Sequence, residues 1–241
     1  MNSFSHDPRQ NYLLAALPSD EHAARLFPQL QLTPMPLGMI LHETGRPISY
    51  AYFPTTAIVS LLYLTEEGGS AEIAVIGNEG VAGIALFLGG QSTTNQAVVQ
   101  SAGYGYRLQG QSLLDTFHEG GAMQRLLLRY TQALITQMAQ TAVCNRHHSL
   151  DQQFCRWLLL SLDRLPRNTL GMTQQLIANM LGVRREGVSV AAKKLHDAGL
   201  IHYNRGRIKI LDRSGLEARV CECYAVVKKE SDRLLNDFCI P

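Results

Sequence analysis

The chain has 241 residues, 46% of them apolar and 17% charged, a balance that suits a folded protein with a real core and excludes a disordered or fibrous one. No stretch approaches the ~20 apolar residues of a membrane-crossing helix; VAGIALFLGG (81–90) is too short. The net charge of +2 hides an asymmetry: residues 1–149 hold 7 Lys/Arg against 10 Asp/Glu, residues 150–241 hold 15 against 10, and 184–213 alone holds 8 against 3.

A local basic patch on a near-neutral chain suits a polyanion held at one end of the molecule, although charge alone describes a solvated face equally well. The N-terminal MNSFSHDPRQ lacks the basic-then-apolar pattern of a signal peptide. Five cysteines, all from Cys144 onward, are an odd number and do not resemble a secreted disulfide framework. A cytoplasmic protein without membrane attachment is expected.

Residues 11–27 read as short helical pieces interrupted at Pro18. From about Leu37 to Arg107 short apolar runs alternate with Gly and Pro turns: GMIL (38–41), ISYAYF (48–53), IVSLLYL (58–64), AEIAVI (71–76), QAVVQ (96–100) and YGYRL (104–108). This spacing predicts an all-β barrel or sandwich, too tight for helical crossovers between parallel strands. From about Leu113 the period becomes helical, and no Pro or Gly falls between Met123 and Cys144. Leu127, Tyr130, Leu134, Met138 and Thr141 form one stripe, with Leu128, Ile135 and Ala142 beside it. A helix apolar on more than one face must bury more than one: one against its own β domain, the other against a second copy. The first stripe is assigned to dimerisation, with Gln137, Gln140 and Asn145 as polar seam residues; a plain core helix fits the periodicity nearly as well. Residues 150–165 predict a further helix around Trp157–Leu160, ended by Pro166. LIHY (200–203) and RIKIL (207–211) predict a hairpin turned at NRG (204–206), and a last helix is expected from about Leu216 to Phe238.

MTQQLIANMLGVRREGVSVAAKKLHDAG (172–199) carries the main functional signal. Thr173 is placed to cap a first helix through Leu181. Gly182 stands where the chain must stop and turn. A second helix runs from about Arg185 to Gly199. Leu176, Ile177 and Met180 face Val183, Val188, Ala191, Ala192 and Leu195 around the turn, as in two short helices packed at a steep angle, and a basic hairpin follows. This is a helix-turn-helix with a wing. Its second helix enters a major groove by its N-terminal end. There Arg185 can donate to O6 and N7 of guanine and Glu186 can accept from N4 of cytosine; the plain alternative is an exposed ion pair between the two. Ser189 faces the same side toward a base or a phosphate. Arg184, Lys193, Arg205 and Arg207 are placed as phosphate contacts, with Thr173 and Gln174 at the first helix's N-terminus.

These residues resemble the Crp/Fnr superfamily of bacterial transcription regulators over nearly the whole chain. The strongest carriers are LTEEGGSAEIAVIGNEGVAG (64–83) and MTQQLIANMLGVRREGVSVAAKKLHDAGLI (172–201); LLRYTQALITQMAQTAVCNRHH (127–148) and CECY (221–224) suggest a subgroup. The resemblance implies an α+β chain. An N-terminal antiparallel β-roll, a cupin-like jelly roll, forms the sensor at 1–120. A long dimerisation helix spans 121–149, and a winged helix-turn-helix 150–241. It implies a homodimer on double-stranded DNA with a two-fold operator, and contact with RNA polymerase when it activates. Three departures stand out. Val81 replaces the glutamate that holds ribose in cyclic-nucleotide-binding members, and Thr93, Thr94 and Asn95 occupy the region of their Arg-Ser phosphate pair. A buried phosphate without a cation is costly, so neither cyclic AMP nor cyclic GMP is expected, no cofactor is identified and the effector is left open. No cysteine precedes Cys144, which removes the N-terminal iron–sulfur set of the oxygen sensors. Arg184 takes the usual Ser/Thr cap position and Val190 the place of a later arginine, so the operator should differ at that step.

Other signals are weaker. GNEGVAG (77–83) is spaced GxxGxxG, which reads as a β-roll turn rather than a nucleotide loop. Cys144, His147, His148, Cys221 and Cys223 hint at a metal or redox site. On one helix Cys221 and Cys223 would point roughly 200° apart, so separate thiols are preferred, no metal is expected, and thiol redox sensing is left open. No catalytic constellation is seen, including around Asp115 and His118, and no enzyme is expected. The alternative to a DNA-binding regulator is a small-molecule sensor acting through protein contacts, its DNA-binding part vestigial.

Overall fold

The structure, a computed structural model, describes residues 6–19, 21–165 and 167–235; Pro166, Phe238 and Cys239 lie outside them. Two short helices, α1 (Tyr12–Ala15) and α2 (Glu21–Leu26), lead into seven strands: β1 (Gln31–Met35), β2 (Ile40–His42), β3 (Tyr50–Pro54), β4 (Ile58–Leu64), β5 (Ser70–Ile76), β6 (Gln96–Ser101) and β7 (Gly103–Gln109). They form two antiparallel sheets, ordered β1-β7-β3 and β2-β6-β4-β5. Met35, Phe53, Val59, Ile76, Val99 and Leu108 are buried together in the core of this β unit. Strand β1 carries Pro34, a residue that argues against a strand in sequence. It is tolerated because β1 is an edge strand, where a missing N–H leaves no ladder bond unmade.

Helices α3 (Gly110–His118), α4 (Gly121–His147) and α5 (Leu150–Leu162) follow. Ser149 caps α5 in a capping box with Gln152, so the chain turns between α4 and α5 within two residues. The rest comprises β8 (Thr169–Gly171), α6 (Gln174–Leu181), α7 (Arg185–Asp197), β9 (Ile201–Asn204), β10 (Arg207–Ile210), α8 (Arg213–Glu217) and α9 (Glu222–Leu235), with a sheet ordered β8-β10-β9. The expected hairpin is present, and β8 adds a third strand too short to show a pattern.

Two expectations need correction. The stripe assigned to dimerisation is the chain's own core: Leu127, Tyr130, Leu134 and Thr141 are buried, and Met138 packs half-buried against the same cluster. Gln137 is equally internal. Its side-chain amide donates to Val75 O and accepts from Val75 N at 3.1 and 3.0 Å, filling the edge of β5 as a further strand would. The neighbouring stripe is the free one, with Leu128 47% and Ile135 51% exposed. Second, the last helix is not continuous. Asp212 caps α8 through Gly215 N, and a new helix starts at Glu222. Cys221 therefore precedes α9, and the argument that it points away from Cys223 on one helix falls.

The β unit and the C-terminal part share cores. Ile58, Leu62 and Val75 pack with Phe154, Leu158, Leu181 and Leu200, while Leu234 and Leu235 of α9 join the β-unit cluster. A buried polar chain crosses the same boundary. Ser60 Oγ lies 2.5 Å from Glu72 Oε2 and 2.9 Å from Gln100 Oε1, and Gln100 Nε2 donates to Ser161 Oγ on α5 at 3.3 Å. The GNEG loop is structural. Arg164 Nε donates to Glu79 at 2.6 Å and Asn11 Nδ2 to Gly80 O at 2.8 Å. A Cβ on Gly80 would lie 2.4 Å from the Tyr130 ring, so only glycine admits that close approach.

Candidate DNA-binding surface

Helix α6 starts at its N-cap Thr173, whose side chain accepts from Leu176 N, and ends at Gly182 with φ +65°. That left-handed turn is the glycine stop expected from sequence. Ile177, Met180, Leu181, Val188, Ala191, Ala192 and Leu195 are buried around it, while Leu176 and Val183 pack half-buried against them. The Thr173 oxygen accepts in the cap, and its hydroxyl proton stays available to a phosphate on the exposed side.

Arg184 takes the N-cap position of α7 without a side-chain cap hydrogen bond. Arg184, Arg185 and Glu186 are exposed, and no hydrogen bond or ion pair engages their side chains among the described residues. Arg185 and Glu186 thus do not form the exposed ion pair that was the plain alternative. Three charged side chains without an internal partner stand at the one end of α7 from which base edges are read.

Ser189 is correctly placed on that face but is engaged. Its hydroxyl donates to Gln174 Oε1 at 2.6 Å and lies 3.1 Å from Arg185 O. The pair ties the start of α6 to α7, so Ser189 and Gln174 position the helix in this conformation. Lys193 pairs with Asp197 at 2.7 Å, an exposed contact of the weak, solvent-screened kind that is easily exchanged for phosphate. Sequence reading passed over Lys194, which reaches Asp151 of α5 at 2.7 Å. It also passed over Tyr203, whose hydroxyl donates to Met172 O and holds the wing against the entrance of α6.

The wing turns at Arg205 and Gly206, with φ +45° and +75°. A non-glycine residue there costs stability, and Asn or Gly would be the choice for a plain turn. Arg205 is exposed at that tip with Arg207 and Lys209 exposed on the adjoining strand. None of the three has a hydrogen-bond or ion-pair partner among the described residues.

A helix-turn-helix with a basic wing, joined through a long helix to a two-sheet β unit, defines a DNA-binding protein. Residues 152–219 match the family model of the Crp-like helix-turn-helix domain, and the chain has the Crp/Fnr regulator fold. A Crp/Fnr-family regulator from Eubacterium rectale is similar at 17% identity and TM-score 0.67, covering 86% of this chain and 98% of that one. FixK2 from Bradyrhizobium japonicum is similar at 18% and 0.66, with 80% and 98% covered. A CRP-family regulator from Thermus thermophilus gives 18% and 0.63, with 78% and 95%. Comparison with curated proteins finds no match. Among the described residues no helix is long and apolar enough to cross a membrane.

Arg185→Ala is expected to relax specificity at one G·C pair per half-site, costing ~1–3 kcal/mol there, whereas Lys193→Ala weakens every sequence alike and lowers the salt slope. Binding to operator variants at several salt concentrations separates the two; identical behaviour would refute the division of roles.

Proposed function

We propose that the chain is a transcriptional regulator that binds a two-fold operator sequence-specifically as a homodimer. The observation that carries this is the free Arg185–Glu186 pair at the exposed N-terminus of α7. The dimer rests on α4, where Leu128, Gln132, Ile135, Ala139 and Ala142 are all exposed at alternating steps of four and three, the spacing of a coiled-coil seam. Two copies joined there would place their reading helices on successive major-groove faces, about 34 Å apart. Exposed Val190, 57% accessible, offers the groove a methyl contact of the kind that suits thymine, and this would set the operator apart from that of the cyclic-AMP-binding prototype. Cytoplasmic location and contact with RNA polymerase belong to the same proposal.

The β unit's interior argues for a subgroup without cyclic nucleotide. The cavity between Leu61, Ile76, Val81, Thr93, Asn95 and Leu134 measures about 50 Å³, and its lining contains His42 but neither Arg nor Lys. Small-molecule pockets usually run to ~300–1,000 Å³. Burial also lowers the pKa of His42, against a hydrogen bond to Tyr50 O, which leaves it a poor counter-charge for phosphate.

Selection of genomic fragments followed by footprinting tests the proposal. A symmetric, salt-sensitive footprint is expected. Absence of sequence-selective binding, with a protein partner captured instead, would replace it with a sensor working through protein contacts.

A further inference from the structure

Four donor side chains meet where α4 ends and α9 begins. Cys144 lies in the last turn of α4 and His148 is its C-cap. Cys221 and Cys223 flank the first residue of α9. The Cys and His ligand atoms all lie within 4.8 Å of one another. Cys144 Sγ is 3.6 Å from Cys221 Sγ, and Cys223 Sγ is 3.5 Å from His148 Nδ1. A tetrahedral zinc ion with its usual bond lengths sets sulfur–sulfur separations of roughly 3.8 Å and sulfur–nitrogen separations of roughly 3.5 Å. The three cysteines are buried, with His148 half-buried.

We propose that Cys144, His148, Cys221 and Cys223 bind one divalent ion of the zinc type, joining the dimer helix to the C-terminal helix. Two surrounding groups support it independently. Glu222 Oε1 lies 3.3 Å from His148 Nε2, the carboxylate-on-histidine arrangement that turns the other ring nitrogen toward a metal. Arg156 is buried, its Nε lacks a partner, and its charge bears on both Cys144 and Cys223. The buried acid near it, Glu72, is pushed by burial up to about 7, and a buried guanidinium short of counter-charge is costly. Binding releases three thiol protons to solvent and forms three sulfur–metal bonds and one nitrogen–metal bond. A divalent ion with three thiolates then carries one net negative charge beside Arg156, with no change of oxidation state. The narrow spread of the donors fits a single ion and leaves no room for the wider ligand set of an iron–sulfur cluster. Four closed protein ligands describe a structural centre, with no open position for catalysis.

The test is metal analysis of the full chain purified under reducing conditions, followed by exchange with cobalt(II). About one zinc per chain is expected, and the cobalt form should show the intense visible bands and thiolate charge-transfer absorption of a tetrahedral site. Cys223→Ser should lose the ion, while Cys155→Ser, outside the cluster, should keep it. Glu222→Gln changes an exposed residue and should retain the fold but bind zinc ~10–100-fold more weakly. His148→Cys should keep the ion and strengthen the charge-transfer bands, which guards against loss of metal through misfolding alone. Three results would overturn the proposal: a folded, reduced wild-type chain that takes up neither zinc nor tetrahedral cobalt, a Cys144–Cys221 disulfide in thiol-trapped protein, or acid-labile sulfide with iron.

Discussion

Ile135→Lys is expected to turn the dimer into a monomer and to lower operator affinity by at least ~10³-fold, the usual interval between specific and non-specific binding. One protomer reaches only one half-site, so losing the partner removes half of the base contacts and half of the phosphate contacts together. Ile135 lies in the middle of the free seam and is 51% exposed within one chain. A lysine there buries a charge only when a second copy covers it. Stability of the isolated chain should shift by no more than ~0.5 kcal/mol, as for a surface change. Leu134→Lys, one residue earlier, strikes a side chain 2% exposed in the chain's own core and should unfold the β unit instead. Sedimentation and operator titration at fixed salt distinguish the two outcomes. An Ile135→Lys protein that still sediments as a dimer would place the interface elsewhere.

Glu72→Gln is expected to stabilise the fold by about 3 kcal/mol at pH 8 and to change little at pH 4.5. Burial pushes the Glu72 carboxyl up to about 7, outweighing the Ser60 hydrogen bond and the charges of Arg156 and Arg164. The hydrogen-bond chain agrees. Ser60 has one hydroxyl proton and two neighbouring acceptors, Glu72 and Gln100, and Gln100 already points its amide N–H at Ser161. Every group is satisfied if Glu72 carries a proton and donates it to Ser60, which then donates to Gln100. The native state thus binds a proton that the unfolded chain, titrating near 4.5, releases. Stability falls as pH rises from about 4.5 to about 7, and the penalty stays constant above that range. Glutamine donates in the same way with nothing to titrate, so the variant's urea stability should lack this fall. Equal destabilisation by Glu72→Gln at pH 5 and pH 8 would mean that the carboxylate is ionised and held by the arginines.

The helix-turn-helix was legible because each of its signals is local. Gly182 is required by a left-handed turn, Thr173 by an unpaired helix N-terminus, and the buried set from Ile177 to Leu195 by a period of three and four. The strands with apolar runs were legible for the same reason. Periodicity cannot say which of two adjacent apolar stripes turns inward, and on α4 the answer comes from the β unit, which shares one core with Leu127, Tyr130 and Leu134. The metal-site geometry was hidden by the break between α8 and α9, and by donors 77 residues apart in the chain. Ser189 looked available for DNA because its partner, Gln174, lies on another helix.

The turn of the helix-turn-helix rests on the chain's own β4–β5 hairpin. A Cβ at Gly182 would stand 3.3 Å from Ala71, and Ser70 Oγ donates to Asn179 O at 3.0 Å. A contact of this kind carries free energy in both directions. If an operator fits better with the turn lifted off Ala71, each increment that strengthens the contact is subtracted from operator affinity. Occupying the operator would then loosen the hairpin by the same amount. In that case DNA would act, through linked equilibria, as an effector of the β unit.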